Sequence, residues 1–131
     1  MAKTITHERL TFKLLITGGR EFKDREGAFA LLDRAHAKFK ITHLIHGDAR
    51  GADRIAAEWA VSRGVQVVAC PANWEHYKNA AGPIRNQYMI ELCPDAVLAF
   101  PGGKGTKNMV EQAARHNVTV YDAVKLGLNK A

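Results

Sequence analysis

The chain has 131 residues, 47% of them apolar and 24% charged, with a net charge of +6. That length predicts one domain with its own core over residues 1–131, structured from about 12 to 121, with tails at 1–11 and 122–131. No apolar stretch is long enough to span a membrane, and Met1 to Glu8 lacks the apolar centre of a signal peptide, so a cytoplasmic protein with no membrane partner is expected.

Cys70 and Cys93 make neither a disulfide framework nor a metal-ligand spacing, so free thiols and no metal are expected. The positive charge favours an anionic partner, either a phosphate-bearing small molecule or a nucleic acid. Lysines and arginines are scattered, however, from Lys3, Arg9 and Lys13 to Lys125 and Lys130, whereas nucleic-acid surfaces cluster them.

In chain order, Phe12 to Thr17 is a short apolar run stopped by Gly18-Gly19, which predicts a strand and a loop. From Arg25 to Phe39 the apolar residues Ala28, Leu31, Leu32, Ala35 and Phe39 recur at helical spacing, and Asp24 is a candidate N-cap. Thr42 to Ile45 predicts a second strand. Asp53 is a candidate cap for the next helix, with Ile55, Ala56, Trp59 and Ala60 on its buried face and Gly64 closing it.

Val65 to Ala69 predicts a third strand, and Pro71 to Gly82 reads as an irregular loop. Pro83 suits the first turn of a helix reaching about Leu92, with Ile84, Tyr88 and Met89 toward the core. Ala96 to Phe100 is the fourth strand, a helix is expected from about Thr106 to His116, and Val118 to Tyr121 is the fifth strand. Short connections between alternating strands and helices predict an α/β fold, a Rossmann-like doubly wound parallel sheet of about five strands with helices on both faces. The apolar runs LLI, VQVVA and AVLAF suit strands buried on both sides.

In such sheets ligands bind beyond the carboxyl ends of the strands. Gly18, Gly19, Gly47, Gly51, Gly82, Gly102, Gly103 and Gly105 gather in loops on that edge. Gly102-Gly103-Lys104-Gly105-Thr106 has what a phosphate cradle needs: permissive backbone, no Cβ against the ligand, and a following helix N-terminus. Lys104 and Thr106 would add a charge and a hydroxyl. A tight turn ending in an N-cap threonine accounts for the same residues. The loop is neither a Walker A motif nor Gly-x-Gly-x-x-Gly, since Asn108 stands at the last glycine position, and no cofactor is expected.

Arg85 and Asn86 fall in the first turn of their predicted helix, where the dipole disfavours a cation unless an anion faces it, either a ligand phosphate or Asp48, Asp53 or Glu21. Asp48, Arg50 and Asp53 carry both signs in the second loop, and an Asp there can accept from ribose hydroxyls. Arg20, Glu21 and Asp24 form a similar set in the first. Trp74 either stacks on a base or plugs the edge of the core. His46 is expected to bond backbone and Cys70 to be buried. The histidines have no Ser or Cys partner at telling spacing, so no catalytic residue is assigned.

Together, Gly18-Gly19-Arg20-x-Phe22-x-Asp24, His46-Gly47-Asp48-Ala49-Arg50-Gly51-Ala52-Asp53, Ala81-Gly82-Pro83-Ile84-Arg85-Asn86-x-x-Met89 and Pro101-Gly102-Gly103-x-Gly105-Thr106 resemble the SLOG superfamily, nearest its YspA/YpsA-related branch. The resemblance implies a Rossmann-like fold that binds a nucleotide or a nucleotide-derived signal, ADP-ribose-like or cyclic, as a sensor or sequestering domain. Relatives include the lonely-guy (LOG) phosphoribohydrolases and the DNA-processing protein DprA, which imply N-glycosidic hydrolysis and single-stranded nucleic-acid binding as alternatives.

LOG enzymes carry Pro-Gly-Gly-x-Gly-Thr-x-x-Glu. Arg85 matches their arginine, but Met109 occupies the glutamate position, and Glu111 lies roughly 200° around the helix from it. Pairing of two copies through Met109, Val110 and Ala113 is an alternative to packing of those residues on the chain's own sheet.

Overall fold

The structure, a computed structural model, describes residues 10–128, so the features named at Lys3, Arg9 and Lys130 and the amino-terminal tail lie outside the described residues. β1 (Lys13–Thr17), β2 (His43–His46), β3 (Gln66–Ala69), β4 (Ala96–Ala99) and β5 (Thr119–Asp122) form one parallel sheet of order β3-β2-β1-β4-β5. The helices are α1 (Arg25–Phe39), α2 (Ala52–Ser62), α3 (Trp74–Tyr77), α4 (Ala81–Glu91) and α5 (Lys104–Arg115). The chain winds outward from β1 to β3 and then returns to build β4 and β5 on the other side, the doubly wound pattern expected from the alternation of elements.

Successive side chains of a strand point to opposite faces, and the core divides accordingly. Leu14 and Ile16 of β1 join Leu31, Leu32, Ala56 and Trp59 of α1 and α2, whereas Leu15 joins Met89, Met109 and Ala113 of α4 and α5. Met109 and Ala113 are therefore sealed against the chain's own sheet, whereas Val110, the third residue considered for pairing two copies, is half-buried and lies outside that core. The inner strands β1, β2 and β4 are buried as expected. The run VQVVA instead forms an edge strand with Gln66 and Ala69 exposed.

Two further expectations are corrected. Pro71 to Gly82 is largely helical: Asn73 Oδ1 accepts from the His76 N–H at 3.1 Å to cap α3, a 3₁₀ turn Lys78–Ala80 follows, and α4 begins at Ala81. Pro83 fits because the first helical N–H groups need no intrahelical acceptor. With the start shifted, α4 turns so that Ile84 and Tyr88 are exposed and Asn86 is buried beside Met89 and Ile90. Local hydrophobicity misjudged this face because α4 packs on α5 through polar groups.

The outer layer is tied at Trp59, whose indole is fully buried, 0% exposed, while its Nε1 donates to Asp33 Oδ1 at 2.8 Å. Arg63 adds bonds of 2.8 Å from Nε and Nη2 to the two Asp33 oxygens, and these donors hold the Asp33 carboxyl down at about 2. Truncating a core tryptophan removes both apolar burial and the contacts around the cavity. Trp59→Ala is expected to lower unfolding free energy by about 3–5 kcal/mol, read as a shifted urea midpoint with unchanged slope.

Candidate functional site

The direction of winding reverses between β1 and β4, and the loops leaving these two strands meet there. Gly19 N–H donates to the Pro101 carbonyl at 2.8 Å, and Ala52 N–H donates to the Gly19 carbonyl at 3.2 Å. A Cβ on Gly102 would lie 2.7 Å from Gly19 N and 3.0 Å from Gly18 C, besides striking Thr106 Oγ1. A Cβ on Gly18 would lie 2.5 Å from Ala52 Cβ and 2.8 Å from Phe100 Cβ. Gly18 and Gly102 are thus required by loop-to-loop packing. Gly103 and Gly105 differ: open space lies beyond both.

α5 starts at Lys104, two residues earlier than expected, with Gly103 as N-cap and no side-chain capping bond. Thr106 is therefore inside the first turn and is not the cap. The first helical bond runs from Lys107 N–H to the Gly103 carbonyl at 3.0 Å, leaving the N–H groups of Lys104, Gly105 and Thr106 without helical acceptors at the positive end of the dipole. Below them opens a cleft of about 1020 Å³ lined by Lys23, Asp24, Gly102, Gly103, Thr106 and Lys107, and closed on the β5 side by Asp122 and Lys125. Asp24 caps α1 as expected, accepting from the Gly27 N–H at 2.9 Å, and Asp122 accepts from the Val124 N–H at 2.9 Å, so both carboxylates already have donors.

The remaining expected residues separate from this cleft. On the β2 side, Arg85 Nη1 donates to the Gly47 carbonyl at 2.6 Å and Nε donates to Asn86 Oδ1 at 2.9 Å. The salt bridge to Asp48, Asp53 or Glu21 does not form. Asp48 lies 3.9 Å from Arg54, Glu21 pairs with Arg50 at 3.1 Å, and Asp53 turns to its own loop. A half-buried guanidinium thus rests on two neutral oxygens, with Nη2 unbonded among the described residues. Burial draws the Arg85 pKa down, opposed by nearby Asp53 and Cys70.

Asn86, only 3% exposed, connects this arginine to α5: its Nδ2 donates to the Gly105 carbonyl at 3.2 Å and to Asn108 Oδ1 at 3.0 Å. Gln112 Nε2 donates to the same Asn108 oxygen at 2.9 Å and to the Pro83 carbonyl at 3.1 Å. Asn108 and Gln112 were missed by sequence reasoning; their spacing of four along a helix was a signal, but only the packing of α4 on α5 gives it meaning. Trp74, 56% exposed, is no plug, and its ring lies beside Gly82. Arg20, Arg50 and Lys104 are exposed and line neither group.

Asp53 does not cap α2, since Gly51, at φ +76°, takes that position and a Cβ there would strike the Gly19 carbonyl. Asp53 Oδ2 instead accepts from the Gly47 N–H at 3.0 Å and the Ala49 N–H at 3.2 Å, holding the second loop in shape. His46, buried and pushed down in pKa chiefly by that burial, accepts the Asp48 N–H on Nδ1 at 2.9 Å, the backbone bond expected of it. Cys70 is buried too, which pushes its thiol up.

Burial raises the Asp53 carboxyl from 3.8 to about 6, against the backbone donors and Arg85, which lower it. Because folding raises this pKa, the group favours the fold fully below about pH 4 and loses that contribution as pH climbs through 6. Relative to Asp53→Asn, the wild-type chain should lose up to about 3 kcal/mol of stability between pH 4 and 7, measured by urea unfolding at several pH values. A difference that stays flat with pH would contradict the raised value.

A family model described as the YspA, cpYpsA-related SLOG family matches residues 12–77, which include the first two loops of this edge. The Gene 61 protein of Mycobacterium phage D29 is 37% identical over 118 residues, covering 84% of this chain and 94% of that protein. Among solved structures, DNA processing protein A (DprA) from Streptococcus pneumoniae aligns with a TM-score of 0.48 and 14% identity, over 92% of this chain and 63% of that one. The chain therefore spans less than two thirds of that DprA chain. With its doubly wound sheet and glycine-packed loops, the chain belongs to the YspA, cpYpsA-related SLOG family.

Proposed function

We propose that the chain binds a nucleotide or a nucleotide-derived signal across the meeting point of β1 and β4. The observation that carries this reading is the uncapped start of α5 above the cleft, where three N–H groups lack helical acceptors next to Gly103, Thr106 and Lys107. A phosphate there would satisfy donors that the fold leaves exposed. Arg85, half-buried beside Gly47 with Nη2 unbonded among the described residues, would take a second anionic or polar group on the other side of Gly18-Gly19. Asp48 would stand near a ribose, and Trp74, exposed at the start of α3, offers a surface for a base.

Binding without hydrolysis is the form we favour. Met109, the residue at the motif glutamate position, is 0% exposed and packed with Leu15, Met89 and Val97, so no side chain reaches the cleft from there. Thermal-shift and calorimetric titration with AMP and ADP-ribose should show saturable binding. Arg85→Ala should weaken it about tenfold or more, with partial recovery in Arg85→Lys. Thr106→Val should cost a few-fold, roughly one hydrogen bond. Failure of every such nucleotide to bind would sink the reading. At saturating AMP, chromatography should find the nucleotide intact, and released adenine would instead support an N-glycosidic hydrolase.

A second reading rests on the exposed aromatic residues Trp74, Tyr77 and Tyr88 along α3 and α4, together with the net charge of +6. Aromatic platforms in a positive field suit single-stranded nucleic acid. An oligonucleotide should then bind with an affinity that falls steeply with salt, whereas an empty gel shift at low salt removes this reading.

A further inference from the structure

At the opposite end of the sheet lies a recess that the nucleotide reading does not use. α1 and α2 cover β1, β2 and β3 on one face, but after β5 the chain makes a turn over residues 123–128, so among the described residues no full helix crosses β4 on that side. The gap is an apolar recess of about 180 Å³ between the sheet residues Leu14 and Leu98 and the α1 residues Leu31 and Phe39, walled by Leu126 of the turn. Its contributions from Phe12, at the start of the fold, and Phe39, at the end of α1, set it at the amino edge of the sheet, away from the glycine-rich loops.

Its charge is one-sided. Among the described residues, the two charged ones lining it are Arg34 and Lys38, both exposed, and no carboxylate lines it. Arg34 Nη2 donates to the Leu126 carbonyl at 2.7 Å, so a cation also ties the wall to α1. Lys38 Nζ sits 5.3 Å from the centroid of the Phe39 ring, and both residues line the recess. Tyr121, which also lines the recess, brings a hydroxyl that has no hydrogen-bond partner among the described residues. An apolar body, two cations and a free donor are the complement of a small molecule with an apolar tail and one anionic end. A dry cavity of similar size, about 150 Å³, is known to take up benzene, so the volume suits a short tail or a single ring.

We propose that this recess is a second ligand site, for a small apolar carboxylate whose tail lies against Leu14, Leu31 and Leu98 and whose charge faces Arg34 and Lys38. Octanoate is the probe, with 1-octanol as the uncharged control. Calorimetry on the full chain should show saturable one-to-one binding of octanoate and clearly weaker binding of octanol. Lys38→Glu, a surface change that spares the core, should weaken octanoate about fivefold or more through charge reversal. Ala35→Phe, which fills the recess, should weaken both ligands about tenfold or more.

Methyl signals of Leu31 and Leu98 should shift on titration while AMP binding stays unchanged, which separates this site from the nucleotide site. Absence of saturable binding, insensitivity to Lys38→Glu, or shifts confined to the glycine-rich edge would overturn the proposal. So would nuclear Overhauser contacts from residues 1–9, or from a second copy, to Leu31 and Leu98 in the ligand-free chain, because these would assign the recess to protein.

Discussion

Gly19 and Gly102 approach each other backbone to backbone, and the shape of the glycine-rich edge depends on that approach. Adjacent parallel strands lie about 4.8 Å apart, so loops leaving β1 and β4 together collide unless their side chains are removed. With no Cβ on either residue, the Gly19 N–H reaches the Pro101 carbonyl, and α2 docks through Ala52 on the Gly19 carbonyl. Backbone hydrogen bonds thus join three loops, and α5 begins at the cleft with its amino end uncapped. The glycines whose Cβ would clash are those of the packing, while Gly103 and Gly105 face open space.

That packing also explains why the charged residues divide into two groups. β1 separates β2 from β4, so the loop after β2 and the cleft under α5 lie on opposite flanks of Gly18-Gly19. The link between them is polar. Arg85 and Asn86 on α4, with Asn108 and Gln112 on α5, form a chain of hydrogen bonds from the Gly47 carbonyl to the first turn of α5. Buried amides are costly unless satisfied, and here Asn108 Oδ1 accepts from two partners, so the network orients α4 and α5 as firmly as an apolar contact would.

The two ends of the sheet are built differently. At the carboxyl edge the loops are packed by glycine and lined by charge. At the amino edge the helical layer is incomplete above β4, and apolar strand residues that a further helix would cover remain beside Arg34 and Lys38. Both features follow from one topology: strands that end together on one side and, among the described residues, only a turn after β5.

Periodicity alone determined the element order, the parallel doubly wound class and the edge where glycine gathers, because alternation of period 2 and period 3.6 is local and glycine punctuates strands where they end. The Asp24 cap and the burial of Cys70 were legible for the same reason. Helix boundaries near Gly82 and Gly103 were not, since both helices begin without a capping side chain. The outward face of Ile84 and Tyr88, the turn of Asp53 to its own loop, the neutral partners of Arg85 and the burial of Asn86 and Gln112 were decided only by tertiary structure. Most of these depend on which element packs opposite, through contacts between residues far apart in the chain that no local spacing encodes, and Asp53 is left to its own loop because Gly51, held against Gly19, takes the cap position.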